Sequence, residues 1–445
     1  MRLKSVASPH QIASTLWKLA CLASAFALAP ANGAPAVIAT IPVGNGPLGV
    51  GVNRVTNRIY VTNDPDGTVS VIDGPTSSVL STFTVGVSPV AVAANHLTNR
   101  VYVVNRASGN VSVIDGVTNS SITTVSVGAN PWGVAINPAT NRIYVTNQFS
   151  SSVSVIDGAT NTVVGTVLVG SGPQAIDVNS QTNRIYVGNT FGNSVSVIDG
   201  SSNTVVATIP ITTGPNPQGI GVDPQTNRVY AGNGSSSHVS IISGLTNTVT
   251  GAISPIQNPR GVAADGQTGR VYVASGALNS LFVADSVTNA IVAILPVGLN
   301  PHGIALNPLT KRVYVADTFS SSVTVVEDLT VIPVTIDIKP GSYPNTINLS
   351  SNGTVAVAIL SSPTFNAASV DPTTVTLAGA LVALKGKGTP MASTSDANGD
   401  GLLDLIVHVN TEALQVSDAD TVAVLEGKTF DGKPIRGTDT VRVVP

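Results

Sequence analysis

Short runs in which apolar and polar residues alternate recur along most of the chain, separated by clusters of Asn, Gly, Pro, Asp and Thr. A period of two reads as half-buried β-strand, and the intervening residues carry turn chemistry. One stretch shows the unit. Gly133-Val134-Ala135-Ile136-Asn137 is a first strand and Pro138-Ala139-Thr140-Asn141 a turn. Arg142 to Thr146 is a second strand, Val153 to Ile156 a third, Asp157 to Asn161 a turn, and Val163 to Val169 a fourth. Helical periodicity is missing from this region. The unit repeats, with Arg-x-Tyr at Arg58/Tyr60, Arg100/Tyr102, Arg142/Tyr144, Arg184/Tyr186, Arg228/Tyr230, Arg270/Tyr272 and Arg312/Tyr314. The tyrosines are spaced by 42 residues except for one interval of 44, after an insertion at Thr212 to Pro217.

A period of about 40–45 residues with four strands suits one propeller blade. Seven copies predict seven blades, yet the last lacks its fourth strand after Val323 to Val326. The missing strand stands at the other end of the array. Val37-Ile38-Ala39-Thr40-Ile41-Pro42-Val43-Gly44 matches the fourth strand Val205 to Pro210, so it is expected to pair into the last blade and close the ring. Closure removes exposed sheet edges. The period stops after Asp328, and short strands such as Val334–Ile338, Val355–Leu360, Leu405–Val409 and Thr421–Leu425 predict a β-sandwich. The expected fold is all-β: a seven-bladed β-propeller closed by an N-terminal strand over 32–328, a linker at 329–335 and a smaller C-terminal β-sandwich over 336–445.

The copies Arg-Ile-Tyr-Val-Thr-Asn (Arg58–Asn63, Arg142–Asn147) and Val-Ser-Val-Ile-Asp-Gly (Val69–Gly74, Val111–Gly116, Val153–Gly158, Val195–Gly200) resemble the YVTN-family β-propeller repeat over roughly residues 36–328. The resemblance implies a seven-bladed propeller of the kind common in exported bacterial and archaeal surface-layer proteins, and it implies no single activity. Later copies depart from the pattern, with Ser243 in place of the strand-three Asp and Ser275 in place of the Asn. The segments 336–345 and 428–437 resemble a module that often ends secreted bacterial proteins.

Before the repeats, Arg2, Lys4 and Lys18 precede the apolar run Leu19 to Ala29, followed by Ala29-Pro30-Ala31. This order reads as a secretory signal peptide over 1–31, since the apolar run is too short to span a bilayer. Cys21, the sole cysteine, lies within it, so the mature chain is expected to have no disulfide. Only 10% of residues are charged and 21 basic residues face 24 acidic ones. That balance gives no basic footprint for nucleic acid.

Features shared by all blades are expected to serve packing, with the repeated Arg meeting acids such as Asp73, Asp115 or Asp157. Candidate function lies where copies diverge. The position after the corner proline reads Leu48, Val90, Trp132, Gln174, Gln218, Arg260 and His302. The loops between second and third strands add Arg106, Phe149, Phe191, His238 and Phe319. All should open on one end of the central channel, whose walls of strand-one Gly and Ala are expected to be uncharged. Trp132, Gln174, Gln218, Arg260 and His302, flanked by Phe149, Phe191 and Phe319, would stack on and hydrogen-bond a polar ligand such as a sugar or peptide.

Catalytic residues are not evident. The histidines beyond the signal (His96, His238, His302, His408) form no metal-spaced pair, glutamate is rare, and no nucleophile elbow or phosphate loop occurs. One metal motif stands out. Asp396-Ala397-Asn398-Gly399-Asp400-Gly401-Leu402-Leu403-Asp404 places oxygen ligands at positions 1, 3, 5 and 9, with the Leu402 carbonyl at position 7. That donor set suits calcium, although position 12 is Val407 rather than a bidentate Glu. The expectation is an exported, monomeric, non-catalytic binding or scaffold protein stiffened by calcium, with no transmembrane segment in the mature chain. Its partner would be an extracellular or cell-envelope polysaccharide or protein. The alternative is a lactonase- or lyase-like enzyme acting at the divergent face.

Overall fold

A computed structural model describes residues 35–328, 332–363 and 365–444, and the signal-peptide segment lies outside them. The chain divides into two compact units, one ending at Thr330 and one beginning at Val331. No helix among the described residues is long and apolar enough to cross a membrane.

The first unit is built from seven four-stranded antiparallel sheets. Six are formed by four consecutive strands each, as in blade 3: Pro131–Asn137, Arg142–Asn147, Ser152–Asp157 and Thr162–Leu168. Numbered along the chain, blade 1 starts at Pro47, blade 2 at Pro89, blade 4 at Pro173, blade 5 at Pro217 and blade 6 at Pro259. Blade 7 has strands Pro301–Asn307, Arg312–Asp317 and Ser322–Glu327, and its outermost strand is Ala36–Pro42 from the other end of the chain. The closing strand pairs antiparallel with Ser322–Glu327, from Ala36 opposite Glu327 to Pro42 opposite Ser322. The predicted closure and the seven-bladed propeller arrangement are thus observed.

Second strands are buried on both faces because each blade is sandwiched between two others. All seven repeat tyrosines are at most 1% exposed. The repeated arginines divide their work. Arg142 and Arg184 pair with Asp157 and Asp199 across their own blades, while Arg100 donates to the Gly158 carbonyl of the next blade at 2.7 Å. Arg312 does the same across the ring closure, donating to the Gly74 carbonyl at 2.6 Å.

A second link runs between blades. In five blades the Asn ending the first strand donates to the Asn in the next blade's first turn: Asn53 to Asn99, Asn95 to Asn141, Asn137 to Asn183, Asn179 to Asn227 and, closing the ring, Asn307 to Asn57, all at 2.7–2.9 Å. Asp223 of blade 5 instead accepts within its own turn. The acceptors Asn57, Asn99, Asn141, Asn183 and Asn227 have φ of 51–53°, a left-handed conformation that Asn tolerates. Where the donor becomes Asp265, the receiving turn carries Lys311, 3.5 Å away. The substitution is complementary on both sides.

The second unit is a sandwich. A five-stranded sheet containing Val370–Leu377, Val422–Thr429 and Pro434–Thr440 packs with a four-stranded sheet containing Thr354–Ile359 and Asp404–Asn410 around Val357, Leu377, Val407 and Leu425, all fully buried. Its first strand, Ile332–Pro333, pairs parallel with Pro434–Thr440. The linker expected over 329–335 is therefore shorter, because residues 332–335 already belong to the sandwich.

Candidate functional site at the channel mouth

The first strands of all seven blades line the central channel, and their starting residues ring one mouth. Neighbouring first strands approach closely there. A Cβ on Gly303 would collide with the Leu48 carbonyl, and one on Gly261 with the His302 carbonyl. Glycine after the divergent position therefore lets the blades close into a narrow iris with a cavity of only about 170 Å³. Ligand pockets usually hold 300 Å³ or more, so this mouth suits surface contact rather than engulfment.

The predicted residues Trp132, Gln174, Gln218, Arg260 and His302 do come together around this iris, with Leu48 and Val90 completing the ring. Burial holds the His302 imidazole uncharged, with a pKa pushed down to about 4, and the neighbouring Arg260 charge acts in the same direction. Burial also lowers Arg260, whose Nε donates to Asn258 Oδ1 at 2.9 Å. Among the described residues no carboxylate is hydrogen-bonded to His302 or His238.

Phe149, Phe191 and Phe319 are not in the iris. They stand on the loops between second and third strands at the same end, since Pro131 pairs with Asn147 and Pro301 with Asp317. Each is at least 60% exposed. The three phenyl rings stand on blades 3, 4 and 7.

One member of the site, Asp64, was not visible in the sequence. The Arg106 guanidinium lies 4.9 Å from the centroid of the Trp132 indole, a cation–π contact. Arg106 also donates to Ser88 Oγ at 3.0 Å, and Ser88 donates to Asp64. Asp64 thus anchors, across blades 1 to 3, the cation on which Trp132 stacks. Within Asn63-Asp64-Pro65-Asp66 it reads as turn chemistry, and only its being acidic opposite a loop arginine could have singled it out.

The channel is not uncharged. Asp177 lies in the first strand of blade 4, its carboxylate accepting from Val178 N at 2.8 Å and Val222 N at 2.9 Å. Its side chain keeps some access to channel water, but the blades around it strip away most of its hydration. That burial pushes its pKa up to about 6, against the pull of the two amides.

In the sandwich, Asp396, Asn398, Asp400, Leu402 and Asp404 share one loop leading into Asp404–Asn410. Asp396 accepts from the amides of Gly399, Asp400 and Gly401, which lower its pKa. Asp400 accepts from Leu402 N, and Asp404 from Ser361 N and Ala397 N. Gly399 and Gly401, with φ of 79° and 86°, make the turn that permits this. The donors are all oxygen, a set suited to calcium. Among the described residues no three His, Cys, Asp or Glu side chains are gathered as a ready cage.

No family profile matches this chain, and no curated protein matches it. Among solved structures it is similar to one described as Kuenenia stuttgartiensis hydrazine synthase, with a TM-score of 0.59 and 22% identity, over 63% of this chain and 95% of that one. At that identity the likeness establishes a shared fold.

Proposed function

We propose that this chain is an exported, non-catalytic binding or scaffold protein of the YVTN-repeat type, contacting an extracellular or cell-envelope polysaccharide or protein through the narrow mouth of its propeller. The observation that carries this is the pairing of a shallow polar iris with three exposed phenylalanines at the same end. Aromatic faces and amide side chains together suit a polymer laid across a surface. The repeat resemblance, the secretory-type N-terminus and the low charge agree with it.

Co-sedimentation of the purified protein with washed envelopes of the producing cells tests the proposal. The wild type should pellet. Alanine at Trp132, Arg260 and His302 together should reduce the pelleted fraction at least tenfold at limiting envelope, because hot-spot aromatic and Arg side chains each contribute about 2 kcal/mol or more. Equal retention of wild type and triple variant would place the contact elsewhere.

The sandwich loop is proposed to bind calcium in a structural role, drawing Asp396, Asn398, Asp400, Asp404 and the Leu402 carbonyl onto one ion. Millimolar calcium should raise the melting temperature of the second unit, and Asp400→Ala should abolish that rise. Identical calcium-dependent melting in the variant would refute the site.

A further inference from the structure

The opposite mouth of the propeller channel has a different character. A cavity of about 560 Å³ opens there, lined by the inner ends of the first strands and the turns that follow them. Its volume lies well within the range of small-ligand sites. The turns vary from blade to blade. Their exposed tips are Gln181, Gln225 and Gln267 on blades 4, 5 and 6, and Leu309, Val55 and Leu97 on blades 7, 1 and 2. The rim is therefore split into an amide arc and an aliphatic arc, each of three consecutive blades. The three aliphatic side chains are 66–67% exposed.

Three charges lining this cavity lack partners of opposite sign: Asp223, which its own turn caps through Gln225 N, Thr226 N and Thr226 Oγ1, and Asp177 and Arg54, which no turn of their own caps in this way. Asp177 is held only by two backbone amides. Among the described residues no Lys or Arg is paired with it, and Lys311 is committed to Asp265. Arg54, at the rim on blade 1, makes its hydrogen bond to His96 Nε2 at 2.8 Å. A guanidinium can only donate, so that nitrogen carries no proton. Burial and the Arg54 charge both lower the His96 pKa, in agreement with a neutral ring. Among the described residues Arg54 forms no ion pair with a carboxylate. Both groups line one cavity, on blades 1 and 4 of a seven-bladed ring, and they do not pair with each other. Asp177 sits two residues below the strand end at Asn179, about 7 Å beneath the rim.

A cavity with an unpaired buried carboxylate below and an unpaired guanidinium at the opposite rim is complementary to a molecule with a cation at one end and an anion at the other. The ends must be farther apart than in a free amino acid. With Arg54 at the rim and Asp177 about 7 Å beneath it, the two ends lie at least that far apart, a reach that two or three extended residues at about 3.3–3.6 Å each cover. The Gln181 and Gln225 amides, which line the cavity, then face the peptide groups, and the apolar lining of Val52, Val222 and Leu306 faces the side chains. We infer that this mouth is a second ligand site that takes a short zwitterionic peptide of about three small or apolar residues, inserted amine-first toward Asp177 with its terminal carboxylate at Arg54.

Isothermal titration of the full chain with tri-alanine at neutral pH tests the inference, with N-acetyl-tri-alanine, tri-alanine amide and putrescine as comparisons. Tri-alanine should bind, and capping either end should weaken binding at least tenfold. Asp177→Asn should lose tenfold for free tri-alanine and make the acetylated peptide its equal. Arg54→Gln should do the same with respect to the amide. The Arg54 side chain is exposed, so that variant folds and keeps the test decisive if the Asp177 variant does not. Absence of tri-alanine binding at millimolar concentration, equal affinity for capped peptides, or putrescine binding as tightly as the peptide would each overturn the assignment.

Discussion

Removal of residues 35–44 is expected to lower the melting temperature of the propeller by about 10 °C or more and to make the protein self-associate. The closing strand carries Ile41, 4% exposed, into the cluster that also contains Val50, Ile59, Tyr314 and Val323 from blades 1 and 7. Val43 N adds a hydrogen bond to the Ser321 carbonyl at 3.0 Å. Losing one buried isoleucine costs about 2–5 kcal/mol by itself. The strand also covers the edge of Ser322–Glu327, whose backbone groups would otherwise be unpaired. Together these losses amount to at least about 5 kcal/mol, and in a unit of this size each kcal/mol moves the midpoint by about 2 °C. Melting curves and light scattering on full-length and shortened chains read both effects. A shortened chain that melts within about 5 °C of the original and stays monomeric would show that the ring does not depend on this seam.

Asp317→Asn is expected to stabilise the protein by up to about 3 kcal/mol at pH 7 and to leave it unchanged near pH 4. Asp317 occupies the position that is Asn in blades 1 to 5, and it is fully buried. In blade 3 the equivalent Asn147 donates to Ser152 Oγ and Ser154 Oγ at 3.2 and 3.0 Å. Asp317 has the matching hydroxyls, from Ser322 at 3.2 Å and Thr324 at 2.7 Å, so these must turn and donate to it. Burial pushes its pKa up to about 6, a rise that these hydrogen bonds only partly offset. The unfolded chain titrates near 4. Between about pH 4 and 6 the folded state therefore binds more protons than the unfolded state. Stability falls as pH rises through that window and stays reduced above it.

The Asn variant has no such proton to lose, so its advantage should grow across the same window. His302 contributes with the opposite sign. Its pKa is pushed down to about 4, so it removes stability as pH falls below about 6.5. For this reason the difference between variant and wild type, measured by denaturant unfolding at pH 4, 5, 6 and 7, is the informative quantity. A difference that does not change with pH would mean that Asp317 is not held protonated by the fold.

Much of this molecule was legible before its structure. The number of blades could be counted from the period, because a propeller repeats one packing problem seven times and most copies solve it with the same residues. The seam could be read from the match between Val37–Gly44 and Val205–Pro210. The iris residues were found because identical neighbours, Pro before and Gly often after, frame a position free to vary. What escaped notice depended on three-dimensional neighbours. Asp64, Ser88, Arg106 and Trp132 come from three blades, and their alliance has no fixed sequence spacing. Arg54, His96, Gln181, Gln225 and Gln267 sit in turns whose composition is explained by turn chemistry alone. Asp177 occupies one polar step in an alternating strand, and nothing local tells whether that step faces water or a crowded channel.

The register of the closing seam also sets how the propeller answers to mechanical load. Ala36, where the described chain enters the ring, lies opposite Glu327, where it is about to leave. Tension applied through these two ends pulls on a single pair of neighbouring residues and opens the seam one hydrogen-bonded pair at a time, as a zip opens. Shear would have loaded the whole ladder at once. A protein tethered by both ends of its propeller is therefore weakest along that line, while six of its seven blades carry none of the load until the seam has parted.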